Sequence, residues 1–104
     1  MFTVEINHPE ENINATYRVI FHHYNKSKKN VERGWKGTLC QIIDEEGMRQ
    51  VSYGQTILNP TDNYSKNLGR KLALDRALRY AHIFGREERT LFWEAYFKTR
   101  GKVN

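Results

Sequence analysis

The sequence predicts an α+β fold in which an N-terminal antiparallel four-stranded sheet is followed by two C-terminal helices. Three observations carry that expectation. Apolar and polar residues alternate with a period of two over much of the first 58 positions. The connections there are short and polar, which joins neighbouring strands as hairpins. Beyond Pro60 the apolar period lengthens to that of a helix. At 104 residues the chain is expected to form one domain, residues 1–104, with strands over 1–58 and helices over 62–100.

Phe2, Val4 and Ile6 alternate with polar neighbours and predict the first strand, and His8-Pro9-Glu10-Glu11-Asn12 breaks it. The β-branched and aromatic run within Thr16 to Tyr24 predicts the second. Asn25 to Asn30 is a polar, basic turn, and Trp35 to Ile43 predicts the third strand. Asp44-Glu45-Glu46-Gly47 predicts a hairpin in which Gly47 takes the positive φ. The fourth strand then places Val51, Tyr53, Gln55 and Ile57 on one face. Pro60 ends the sheet, because proline cannot donate to a ladder. A helix is expected from Tyr64 to Phe84, capped by Asp62 or Asn63 and stopped by Gly85. A second is expected from Arg86 to Thr99, with Glu87 and Glu88 at its positive end and Lys98 and Arg100 at its negative end.

The composition, 38% hydrophobic, 28% charged and 12% aromatic, fits a folded, water-soluble chain. No stretch approaches the roughly 20 apolar residues that span a bilayer, so no membrane partner is expected. Cys40 is the sole cysteine, which rules out an internal disulfide and fits a reducing cytoplasm. The net charge of +5 favours anionic partners.

Winding the first helix at 100° per residue puts Ala73, Leu74, Ala77, Tyr80, Ala81 and Phe84 on one side. Arg70 and Lys66 continue that stripe to the helix start, where unpaired N–H groups and the helix dipole already attract anions. Arg70 adds a planar fork suited to phosphate oxygens. Asn63, Ser65 and Asn67 add neutral hydrogen-bonding groups, and Tyr53 and Tyr64 are expected to bracket the sheet-to-helix turn as stacking platforms. In the competing structural reading, Arg70 pairs with Asp75 or with an acid on the sheet. Leu68 and Leu72 lie opposite the alanine stripe, and Trp93 and Phe97 point away from the Leu91, Phe92, Ala95 and Tyr96 face. These four are the expected interface of a homo-oligomer.

Catalytic and cofactor signatures are missing. His22 and His23 are adjacent on a strand and so point to opposite faces. His8 and His82 join no ligand spacing, and no Walker loop, dinucleotide fingerprint or nucleophile elbow occurs. Cys40 reads as a buried small hydrophobe and the Asp44-Glu45-Glu46 group as solvated acids. No enzyme activity, metal or cofactor is expected.

The run Asn59-Pro60-Thr61-Asp62-Asn63-Tyr64-Ser65-Lys66-Asn67-Leu68-Gly69-Arg70-Lys71-Leu72-Ala73-Leu74-Asp75-Arg76-Ala77-Leu78 resembles a segment of small bacteriophage proteins, with the Thoeris anti-defence 1 family as the nearest functional group. That resemblance covers residues 59–78. It implies a phage-encoded, oligomeric sponge in the host cytoplasm that sequesters a cyclic ADP-ribose-type nucleotide without cleaving it. It carries no pocket residues over. Two other readings stand beside it. One is a nucleic-acid binder that adds Lys26, Lys28 and Lys29 to the same basic residues. The other is an anti-CRISPR-like inhibitor whose exposed aromatics dock on a host protein.

Overall fold

The alternation seen in the sequence sorts each strand into a covered and an uncovered side, and the core forms on the covered one. The computed structural model describes residues 1–8, 13–26, 35–58, 66–80 and 82–100. Its elements are β1 (Phe2–His8), β2 (Ile13–Lys26), β3 (Trp35–Asp44), β4 (Arg49–Leu58), α1 (Lys66–Tyr80) and α2 (Arg86–Arg100). The strands form one antiparallel meander in the order β1-β2-β3-β4. The architecture is the expected α+β one.

Register carries the two-residue period across the sheet. Phe2 lies opposite Val19, Val4 opposite Tyr17, Val19 opposite Ile42, and Cys40 opposite Gly54. These residues are buried, and the helices cover them. A bulge between Ile42 and Ile43 shifts the β3–β4 register by one, which Val51 absorbs. The β3–β4 turn departs from expectation in one respect. Met48, with φ 52°, is its left-handed residue, and no glycine has positive φ among the described residues. Asp44 Oδ1 accepts from the Glu46 N–H at 3.0 Å and fixes the start of the turn, so the left-handed step falls at its last residue, not at Gly47.

α1 sits on β4 and β3 through the small residues Gly69, Ala73 and Ala77, joined by Leu74 and Leu78. Gly54 makes the closeness possible. A Cβ there would lie 2.4 Å from Ala73 O and 2.4 Å from Ala77 N, both backbone atoms that cannot step aside. Ser52 Oγ donates to Ala77 O at 2.6 Å, tying the helix to the strand beneath it. Part of the expected stripe fails: Tyr80 is 67% exposed, and Leu78 takes its place in the core. Tyr80 lies at the rim of the stripe, where α1 overhangs the outer edge of β4.

α2 covers the β1–β2 side with an aromatic cluster. Phe92 packs on Phe84 (ring centroids 4.8 Å apart) and on Tyr17 (6.0 Å), and Tyr96 packs on Phe2 (6.2 Å) and Phe21 (6.0 Å). Leu91 was expected on this face but is 40% exposed.

Gly85 does not stop the first helix. α1 ends at Tyr80, the chain turns through His82 at φ 57°, and Phe84 inserts into the core. Gly85 instead caps α2: its carbonyl accepts from Arg89 N–H at 2.9 Å, and its N–H donates to Glu88 Oε1 at 2.6 Å. That is the return half of a capping box, with glycine standing where a hydroxyl residue is usual.

Candidate functional site

Period-two alternation on β2 places His23 in the row of Tyr17, Val19 and Phe21, beneath the helices, while His22 turns to the uncovered face and meets Gln41 Oε1 at 2.7 Å. The two adjacent histidines do part company as expected. His23 Nδ1 lies 2.9 Å from Thr38 Oγ1, and its Nε2 lies 3.3 Å from Arg70 Nη1. A guanidinium can only donate, so His23 Nε2 is the acceptor. Neutral His23 therefore carries its proton on Nδ1 and donates it to Thr38.

α1 brings Arg70 here because residue 70 lies on the same side of the helix as Ala73 and Ala77. Lys66 is one turn earlier on that side. α2 runs back antiparallel to α1, so that Tyr96 OH, near its end, donates to Asn67 Oδ1 near the start of α1 at 3.4 Å. Arg100 then closes the group, with its guanidinium carbon 6.0 Å from the Tyr96 ring centre. The electrostatic result is legible on the histidine. Desolvation, then the charges of Arg70, Lys66 and Arg100, hold the His23 pKa below its ordinary 6.5.

Asp75, the expected structural partner of Arg70, is used elsewhere, accepting from Arg79 Nε at 3.0 Å. Among the described residues no carboxylate pairs with Arg70. Its Nε is buried and has no acceptor among the described residues. Leaving such an N–H unmatched costs about 1–3 kcal/mol, so its persistence calls for an explanation.

The other expected site residues scatter. Asn67 joins the group by way of Tyr96. Asn63, Tyr64 and Ser65 lie outside the described residues, as do Lys28 and Lys29. Tyr53 does not border the start of α1. It packs on Tyr80 with ring centroids 5.7 Å apart, at the far end of the helix, about 15 Å from Arg70 along the axis. The displacement follows from β4 being antiparallel to α1: Gly54 lies under Ala73 and Ala77, and the residues near it meet the later turns of the helix.

Of the expected interface residues, Leu68 is 47% and Phe97 50% exposed. Leu72 is half-buried, and Trp93 is also half-buried, packed against the core. Trp93, expected off the Leu91, Phe92, Ala95 and Tyr96 face, is thus partly covered within the chain itself. It stacks on Phe97 (5.8 Å, 26°) and meets Tyr96 edge-on.

His23, Thr38 and Arg100 were not singled out from the sequence. The signal for His23 was present in the β2 alternation. Arg100 had none, since only the return of α2 brings it near. Cys40 is fully buried at mid-strand, its thiol pushed up to about 12 by desolvation, which leaves it protonated and unreactive. Among the described residues no group of three or more His, Cys, Asp or Glu side chains is placed to hold a metal, and no helix is long and apolar enough to cross a membrane. The chain matches no protein-family model, no curated protein and no solved structure, so its site is read from its own geometry.

Proposed function

We propose that the chain is a non-enzymatic binding protein that sequesters a phosphate-bearing ligand of the cyclic-nucleotide type at the junction of α1, α2 and the β2–β3 hairpin. The observation that carries this reading is the buried Arg70 Nε without an acceptor, set among Lys66, Arg100 and His23 with no carboxylate paired to Arg70 among the described residues. Clustered cations repel one another, and a multiply charged anion is the ligand that relieves both the repulsion and the unmatched N–H. Sequestration rather than turnover fits the chemistry of the group: arginine and lysine donate, and His23 is engaged on both nitrogens. Action in a host cytoplasm, as the resemblance over residues 59–78 implies, belongs to the same proposal.

The test is calorimetric titration with cyclic dinucleotides, ADP-ribose and pyrophosphate, followed by chromatography of the recovered ligand. Arg70→Met keeps the aliphatic stem and removes the guanidinium. It should weaken binding by about 1.5–3 kcal/mol, the scale of a hydrogen bond to a charged group, while the melting temperature of the free protein holds or rises. Arg70→Lys should restore part of the affinity, because a point charge lacks the fork. Arg49→Ala, exposed beside the β3–β4 turn, should change nothing. Unchanged affinity with Arg70→Met, or recovery of cleaved ligand, would end this reading.

A further inference from the structure

The opposite end of the helix pair carries a second basic surface, built differently. Arg76 and Arg79 of α1 meet Tyr53, Gly54 and Gln55 of β4 and Tyr80 in a hollow of about 390 Å³. Arg79 also lines an adjoining groove of about 480 Å³ between the helices, with Asp75 and Leu78 of α1 and Arg86, Arg89, Thr90 and Trp93 of α2. Arg79 lines both, so the two hollows adjoin at its side chain along one basic track. Among the described residues four guanidinium groups line it against one carboxylate, Asp75, which Arg79 already engages. Arg76 is held in place, donating to the Gln55 carbonyl on the free edge of β4 at 2.7 Å.

Aromatic rings stand at both ends of this basic run. Tyr53 and Tyr80 are 44% and 67% exposed, yet lie ring beside ring. Trp93 forms a wall at the other end. A solvated charged face does not need such rings, and exposing two tyrosines side by side forgoes apolar burial. A single nucleotide needs one stacking platform and one phosphate contact. Two separated platforms with arginines between them match a chain of bases on a repeating phosphate backbone. We infer that this track, from Tyr53 and Tyr80 through Arg76, Arg79, Arg86 and Arg89 to Trp93, binds single-stranded nucleic acid, independently of the ligand group at Arg70. The bases stack on the rings and the guanidinium groups follow the backbone. Arg70 lies about 14 Å from Arg79 along α1, so the two sites are separable by mutation.

Fluorescence anisotropy with labelled oligothymidylate and oligouridylate, at two salt concentrations, tests the inference. Each phosphate neutralised on a single strand contributes about 0.7 to the salt slope, so four arginines give roughly fiftyfold weaker binding when salt rises fourfold. Tyr80→Ala, at an exposed position, should weaken binding about tenfold by removing one stacking platform. Arg79→Gln with Arg86→Gln should lower the slope by about 1.4, and Arg49→Ala, exposed beside the β3–β4 turn and outside both sites, should leave oligonucleotide affinity within about twofold of the parent. Circular dichroism melting establishes that each variant is folded, and Tyr80→Ala decides alone if the double variant is not. Three results would overturn the inference: no binding to either oligomer at low salt, full affinity retained by Tyr80→Ala, or displacement of the oligomer by AMP at equal nucleotide concentration.

Discussion

His23 holds one partner at each ring nitrogen: Nδ1–H donates to Thr38 in either charge state, while Nε2 can accept from Arg70 only when the ring is neutral. Protonation would turn Nε2 into a donor facing a donor. Burial and the three nearby cations act in the same direction, so the folded pKa lies below 6.5, the unfolded value. Lowering the pH through 6.5 then protonates the unfolded chain before the folded one, and stability falls across the window below that value. Above 6.5 both states are neutral and this contribution is constant. Chemical denaturation of the free protein should therefore show stability rising with pH up to about 6.5, and His23→Gln should flatten that part of the profile. A bound phosphate reverses the sign, because an adjacent anion favours imidazolium. The His23 ring proton, followed by NMR, should titrate below 6.5 in the free protein and move upward when pyrophosphate is added; no upward movement would argue against an anion at this position.

At the scale of elements, the seating of α1 depends on one missing methyl group. Gly54→Ala places a Cβ against Ala73 O and Ala77 N at distances no side-chain rotation relieves. The helix must lift, which breaks the Ser52–Ala77 hydrogen bond and loosens the Ala73, Leu74 and Ala77 contacts. Denaturant unfolding should show a loss of about 3 kcal/mol or more, although Gly→Ala on an unhindered strand would be neutral or favourable. A retained or raised midpoint would mean that α1 does not lie this close to β4. Both proposed ligand surfaces hang from this contact, since α1 carries Arg70 near one end and Arg76 and Arg79 near the other.

Across the whole molecule, the helices cover one face of the sheet and leave part of their own outer surface apolar. Leu72 is half-buried and Phe97 half-exposed on that surface, and Lys71 lies 5.8 Å from the centre of the Phe97 ring. Burying a large apolar side chain contributes about 1.5–3 kcal/mol, so a second copy covering a few of them gains enough to offset part of the cost of association. We expect light scattering at micromolar concentration to give a dimer or larger assembly. Leu72→Lys should return it to monomer while Arg49→Ala leaves the mass unchanged. A monomer in the parent protein would remove the homo-oligomer from the proposal and leave the Arg70 group to act within one chain.

The sequence alone determined the layout of the fold, because it follows from local periods. Alternation made the strands, polar turns made them antiparallel, and 3.6-residue spacing made α1 and α2. Helical winding alone also put Arg70 and Lys66 in line with the core-facing stripe. Helix ends were less legible: Gly85 suits either the end of one helix or the start of the next, and the Glu88 contact decides for α2. What lies opposite Arg70 was decided by tertiary structure. His23 and Arg100 are 47 and 30 residues from it along the chain, and only sheet register and the antiparallel return of α2 bring them within reach. The same cause moved Tyr53 from the start of α1 to its end. Backbone hydrogen bonding and side-chain alternation act over a few residues, and sequence carries them directly. Which cation meets which ring is set by how elements pack, and that depends on long-range contacts such as Gly54 against Ala73 and Ala77, where the absence of one side chain fixes the position of a helix.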